Sequence, residues 1–180
     1  MQSFRKVSHK MSEKKQVLYN LRVTYNGSFV VDDFYAEVDN WAKEKGFEKE
    51  PKQKMEHVTK DGKKLHLIME VHSHLDELHH GIVVLKAMMD NVKDAVIKRQ
   101  GKKIRINNGD VYIDINGFVE SHLHGTFYQI KPMYWFIRSL IDRFVYKFWS
   151  DKYDGEVSGQ CHELYKRLRS FFELQKYKYQ

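Results

Sequence analysis

The chain has 180 residues, of which 42% are hydrophobic, 14% aromatic and 31% charged, a balance that fits one globular domain and excludes a disordered or fibrous chain. A single cysteine, Cys161, rules out an intramolecular disulfide and a cysteine-rich zinc module and points to a reducing, cytoplasmic setting. The N-terminal MQSFRKVSHKMSEKK lacks the apolar core of a signal peptide, and no eighteen apolar residues run together, so neither export nor a transmembrane segment is expected.

The formal net charge is +7, and residues 1–15 supply +4 of it through Arg5, Lys6, Lys10, Lys14 and Lys15 against Glu13. That stretch reads as a flexible basic tail and residues 16–180 as the single folded domain. The remaining +3 is spread too thinly to mark a dedicated phosphate-binding surface by itself.

Residues 16–25, QVLYNLRVTY, alternate: Val17, Tyr19, Leu21, Val23 and Tyr25 on one side, Asn20, Arg22 and Thr24 on the other, the period of a strand. Asn26-Gly27 ends it, and Ser28 is placed to cap a helix over 29–45 in which Phe34, Val38 and Trp41 share a face. Gly46 supplies a left-handed stop, with Phe47 set for the apolar contact beyond it. From there to about residue 124 turn signals recur at short intervals, as in an antiparallel meander. Lys60-Asp61-Gly62 joins strands at 53–59 and 63–73, and HSHLDELHHG leads to a strand at 82–90. Asn91-Val92-Lys93 leads to one near 94–98, Gln100-Gly101 to one near 103–107, and Asn108-Gly109 to a last strand at 111–122. With the first, that makes seven. In the last strand Val111, Ile113, Ile115 and Val119 fall on one face, and Tyr112, Asp114, Asn116, Phe118 and Glu120 on the other.

Pro132 suits the first turn of a helix over 133–150, whose Ile137, Leu140, Ile141, Phe144, Val145 and Phe148 form an apolar stripe. Gly155 and Gly159 loosen the pattern before Val157, Cys161, Leu164, Tyr165, Leu168, Phe171 and Phe172 resume three-four spacing, which leaves open one helix or two. The terminal QKYKYQ is expected to fray.

This order, a strand, a helical segment, six hairpin-linked strands and a long terminal helix, resembles the helix-grip fold of the START-like (SRPBCC) superfamily. That superfamily includes lipid-transfer START domains, polyketide cyclases and aromatases, and plant pollen allergens. The resemblance runs from Gln16 to about Tyr177 and rests on element order, with no short motif to anchor it. It implies an α+β fold in which an antiparallel sheet of about seven strands wraps round the C-terminal helix, with an apolar cavity between them. Tyr112, Asp114, Asn116 and Phe118 of the last strand and Trp135 and Phe144 of the helix are the candidate lining.

Three functional readings follow. The first is a binding protein, rather than an enzyme, for a hydrophobic small molecule or lipid in that cavity. The second is a basic accessory protein on RNA or a ribonucleoprotein, through Lys98, Arg99, Lys102, Lys103 and Arg105 in the acid-free run KRQGKKIR, set against a merely solvated hairpin tip. The third is a metal-dependent enzyme. His66, Glu70, His72 and His74 share a face by period two, and His122-x-His124 offers a second pair that could converge with them on zinc, iron or copper if the strands were neighbours. Solvent-facing histidines are the competing reading, His79 and His80 fall in a turn, and Glu77 follows His74 too closely for the cupin pattern. No cofactor beyond such a metal is expected, because Walker, Gly-x-Ser-x-Gly and Gly-x-Gly-x-x-Gly motifs are all missing. Cys161 reads as a small buried hydrophobe. The first turn of the C-terminal helix is apolar nearly all round and must bury a second side, against a ligand, the other helix or a partner chain in a homodimer.

Overall fold

A computed structural model describes residues 11–60, 62–77, 79–99, 102–123 and 147–179. Five antiparallel strands and two helices follow the order β1 (Met11–Phe29), α1 (Val31–Glu44), β2 (Glu48–Thr59), β3 (Gly62–His74), β4 (His79–Arg99), β5 (Lys102–Leu123) and α2 (Lys147–Tyr179). The sheet order is β1-β5-β4-β3-β2, a meander of four strands closed on one side by the first.

The α+β class stands, and the sheet has five strands instead of seven. Asn91-Val92-Lys93 and Asn108-Gly109 are not turns. They oppose each other across β4 and β5, where the register slips between Asp90 and Lys93 and Asn91 takes φ 54°. This is a bulge, which uses the same residue types as a turn. Gly109 is required there because a Cβ would lie 2.8 Å from the Asp90 carbonyl oxygen and 3.1 Å from Val92 Cα. Each pair of expected short strands is therefore one long strand with a bend.

β1 also starts earlier than its alternation, at Met11, which pairs with Leu123; residues 11–15 belong to the sheet and not to a tail. α1 carries the expected buried face, with Phe34, Val38 and Trp41 all at 0% exposure. Its N-cap is Val30 and not Ser28: Ser28 is still in the strand, and the Val31 N–H donates instead to Asn107 Oδ1 at 3.3 Å. The C-terminus follows expectation closely. Gly46 takes φ 68°, its N–H reaches the Lys43 carbonyl at 3.1 Å and that of Phe47 the Ala42 carbonyl at 2.8 Å, with the Phe47 ring edge-on to Trp41, a Schellman arrangement.

α2 is continuous from Lys147 through Gly155 and Gly159 to Tyr179. A Cβ at either glycine would meet nothing within 4 Å, so both face away from the core and cost only helix propensity, about 1 kcal/mol each. Val157, Cys161, Leu164, Leu168 and Phe172 form the buried stripe. The segment expected to open the C-terminal helix, 133–146, lies outside the described residues, and Trp135 and Phe144 with it.

One face of the sheet carries α1 and α2. Val23, Leu67, Met69, Val71, Val83, Leu85, Ala87, Met89, Val111, Ile113 and Ile115 belong to one buried cluster with the stripe of α2 and the face of α1. Gly81 and Gly117, with Ser73, let α2 lie close: a Cβ at Gly117 would sit 2.9 Å from Cys161 Sγ. Phe172 stacks on Tyr25 at a 4.9 Å centroid distance and contacts Phe29 and Phe34, so one ring ties α2 to β1 and α1. Arg167 joins the helices at the surface through ion pairs to Glu37 and Glu44.

Candidate functional site

Because α2 takes the face of Val111, Ile113 and Ile115, the mixed face of β5 points the other way. Tyr112, Asp114, Asn116 and Phe118 therefore do not line a space between the sheet and α2; there the side chains are packed and buried. They belong to the outer face. Its rows are set by register: Gln16, Phe118, Ile82 and His72; Asn116, Val84, Glu70 and Glu50; Arg22, Asp114, Lys86 and Ile68; Thr24, Tyr112, Met88 and His66.

A groove of about 510 Å³ opens in this face, and Asp114, Asn116 and Phe118 are in its lining with Arg22, Lys86 and Ile68. Tyr112 lies one row outside it. Most of the lining is polar or charged; its apolar side chains are Ile68, Val84, which is only 6% exposed, and Phe118 beneath the Lys14 ammonium, 4.6 Å from the ring centroid. Arg22 donates to Asp114 from Nε at 2.7 Å and from Nη2 at 3.4 Å, and this hydrogen bond raises the pKa of the guanidinium further. Lys86 is exposed at the centre and forms no ion pair among the described residues. Asn116 is occupied structurally. Its Oδ1 accepts the Asn20 N–H at 2.9 Å where β1 bulges between Leu18 and Leu21 and Asn20 takes φ 55°.

The histidine pairs do not converge. His66, His72 and His74 are on β3 and His122 is on β5, with β4 between them, which sets the pairs about 10 Å apart at ordinary strand spacing. His74 packs edge-on to His80, ring centroids 4.6 Å apart, and His66 is separated from His72 along the same strand. His79 is not in an exposed turn: its ring stacks on Tyr153 and Nδ1 lies 2.9 Å from Asp76 Oδ1. His124 is outside the described residues. Among the described residues the set with metal-ligand spacing is Glu50, Glu70 and His72. His72 Nε2 is 3.5 Å from Glu50 and 3.6 Å from Glu70 and has no hydrogen-bond partner among the described residues. An imidazole with two carboxylates is a workable donor set for zinc. The Lys52 ammonium already stands 2.7 Å from Glu50 and 3.3 Å from Glu70 and holds the Glu50 carboxyl below its usual range. An ion there would have to displace that ammonium.

The five basic residues expected to form a nucleic-acid surface fall on the β4–β5 hairpin, with Lys98 opposite Lys103, Arg99 opposite Lys102, and Arg105 opposite Val96. They are remote from the groove along the same two strands. Burial pushes the Cys161 thiol up to about 12, in keeping with an inert core group. No family model, curated protein or solved structure matches the chain. Among the described residues no helix is long and apolar enough to cross a membrane.

Arg22, Lys14, Lys86, Ile68 and Val84 went unmarked in the sequence. The alternation of residues 16–25 does put Arg22 opposite the core-facing side chains. What alternation cannot supply is that β1 pairs with β5, which is what brings Arg22 to Asp114.

Proposed function

We propose that the protein is a binding module, without catalysis, for a small amphipathic molecule such as a fatty acid or lipid, and that the ligand lies in the groove on the outer face of the sheet. The groove is the observation that carries this reading. Its volume falls in the usual range for small-molecule sites, about 300–1,000 Å³, and it sets three apolar side chains, Ile68, Val84 and Phe118, among a larger number of polar and charged ones. Lys86 is a cation without an ion-pair partner among the described residues, suited to an anionic head, while Ile68, Val84 and Phe118 offer the tail an apolar bed. A START-like kinship remains part of the proposal, supported by an antiparallel sheet with a long terminal helix on one face. The packed helix-side face favours the groove over the cavity that kinship would imply.

The test is titration of the purified chain with a dansyl-labelled C11 fatty acid, followed by fluorescence, with Phe118→Ala and Lys86→Gln as variants. Saturable binding that weakens severalfold in both variants supports the groove. Binding unaffected by either variant places the ligand elsewhere, and absence of saturable binding overturns the ligand class.

A further inference from the structure

The β4–β5 pair outruns its neighbours. β3 reaches β4 only as far as Val92, and β1 reaches β5 only as far as Asn107. The rungs from Ala95 opposite Ile106 to Arg99 opposite Lys102 thus form a two-stranded arm that no third described strand supports. Such a ribbon is marginal by itself. Its sequence weakens it further, because the two terminal rungs set Lys98 against Lys103 and Arg99 against Lys102, and like charges directly opposite destabilise a ladder. Residues 98–105 hold five bases and no acid. The nearest acid along the chain, Asp94, stands at the base of the arm and is taken by Lys63 Nζ at 2.7 Å and Asn107 Nδ2 at 2.9 Å. Residues 95–107 therefore carry no acid to offset these bases.

We propose that this arm docks on the phosphate backbone of duplex nucleic acid without regard to base sequence. A polyanion removes the repulsion between the paired bases that the free arm must bear. A two-stranded ribbon fits a major groove about 12 Å wide. Residues 95–107 contain no aromatic side chain, so the arm lacks the stacking platform by which proteins hold single strands. The surface is separate from the ligand groove, and neither proposal depends on the other.

Anisotropy of a labelled DNA duplex of about 20 base pairs and arbitrary sequence, titrated with the full chain, tests this. With three to five phosphates contacted, affinity falls about 40- to 500-fold between 50 and 200 mM salt. The pair Lys102→Gln and Lys103→Gln lowers the slope of log affinity against log salt by about 2, while the melting temperature holds or rises as the like-charge rungs are relieved. Lys98→Gln with Arg99→Gln, on the facing strand, gives the same result independently. Parental affinity and slope in both variants overturn the proposal. So does tighter binding of the parent chain to a single strand of equal length, or to phosphatidylserine vesicles, than to the duplex.

Discussion

Gly117→Ala separates a sheet closed by its helix from a sheet that leaves room for a ligand there. The added methyl would stand 2.9 Å from Cys161 Sγ, 3.1 Å from Val157 Cγ1 and 3.4 Å from Leu18 Cβ. Cys161 and Val157 are both fully buried on α2, so neither can swing into solvent. Overpacking of this kind costs about 1–3 kcal/mol, and the smaller conformational entropy of an unfolded alanine offsets about 0.4–1 kcal/mol. The net loss lies between about 0 and 2.6 kcal/mol with its centre at about 1.3 kcal/mol, or about 3–5 °C in melting temperature at that centre for a domain of this size. Urea unfolding of Gly117→Ala, Cys161→Ala and the double variant measures it. Because Cys161→Ala removes the closest atom, the two changes couple by at least about 0.5 kcal/mol, the double variant being more stable than additivity allows. Gly155→Ala is the control: with nothing within 4 Å of its Cβ, it stabilises by up to about 1 kcal/mol. A Gly117→Ala protein as stable as the parent, additive with Cys161→Ala, would refute the close helix–sheet contact and reopen that interface as a binding cavity.

Phe172→Ala removes the ring shared by Tyr25, Phe29 and Phe34 and costs about 3–5 kcal/mol by chemical denaturation; a loss below 1 kcal/mol would contradict its central place. The Cys161 thiol, pushed up to about 12 by burial, resists a disulfide reagent at pH 8 in the native protein and reacts at once in urea, and rapid native labelling would show that α2 lifts from the sheet. Stability is lost on acidification. Glu44 is held below 4.5 mainly by its hydrogen bond from Arg167, and Asp110 below 3.8 by those from Asn26 and Asn91. For groups depressed in the folded state, the stabilising share is complete above the unfolded values and disappears as pH falls through the folded ones. The urea midpoint should therefore drop below about pH 4.5, less steeply in Arg167→Met, and equal slopes in the two proteins would remove Arg167 from the account. Asn116→Ala strips the acceptor from the Asn20 N–H and destabilises by about 1–3 kcal/mol, read as a lower melting temperature; no change would show that water replaces the amide oxygen.

The elements that local patterns define were legible in the sequence. The buried face of α1, its Gly46 stop and the alternation in β5 all follow from periodicity and from one residue that tolerates positive φ. The bulge was not, because Asn91 and Gly109 serve a bend inside a ladder with the same chemistry they would bring to a turn, and only the register distinguishes the two. The continuity of α2 was hidden for a related reason: Gly155 and Gly159 read as breaks, yet they lie on the side of the helix where no packing is lost. For the site, period two located Asp114, Asn116 and Phe118 on one face but could not say which face α2 would cover. The histidine pairs failed on strand order, since β4 inserts between β3 and β5.

β5 runs for 22 residues, roughly 70 Å if straight at about 3.3 Å per residue, and it supplies a wall of the groove, the seat of α2 at Gly117 and one side of the basic arm. These three places are stations on a single girder, with the bulge at Asn91 and Gly109 as its elbow. That elbow lies where β1 and β3 still flank the pair, at Gly27 opposite Gly109 and Lys63 opposite Val92, and the arm projects beyond it. The groove lies on its other side, on the stretch of β5 that β1, β4 and α2 all brace, so a change in sequence at the elbow would re-aim the arm without replacing a residue of the groove's lining.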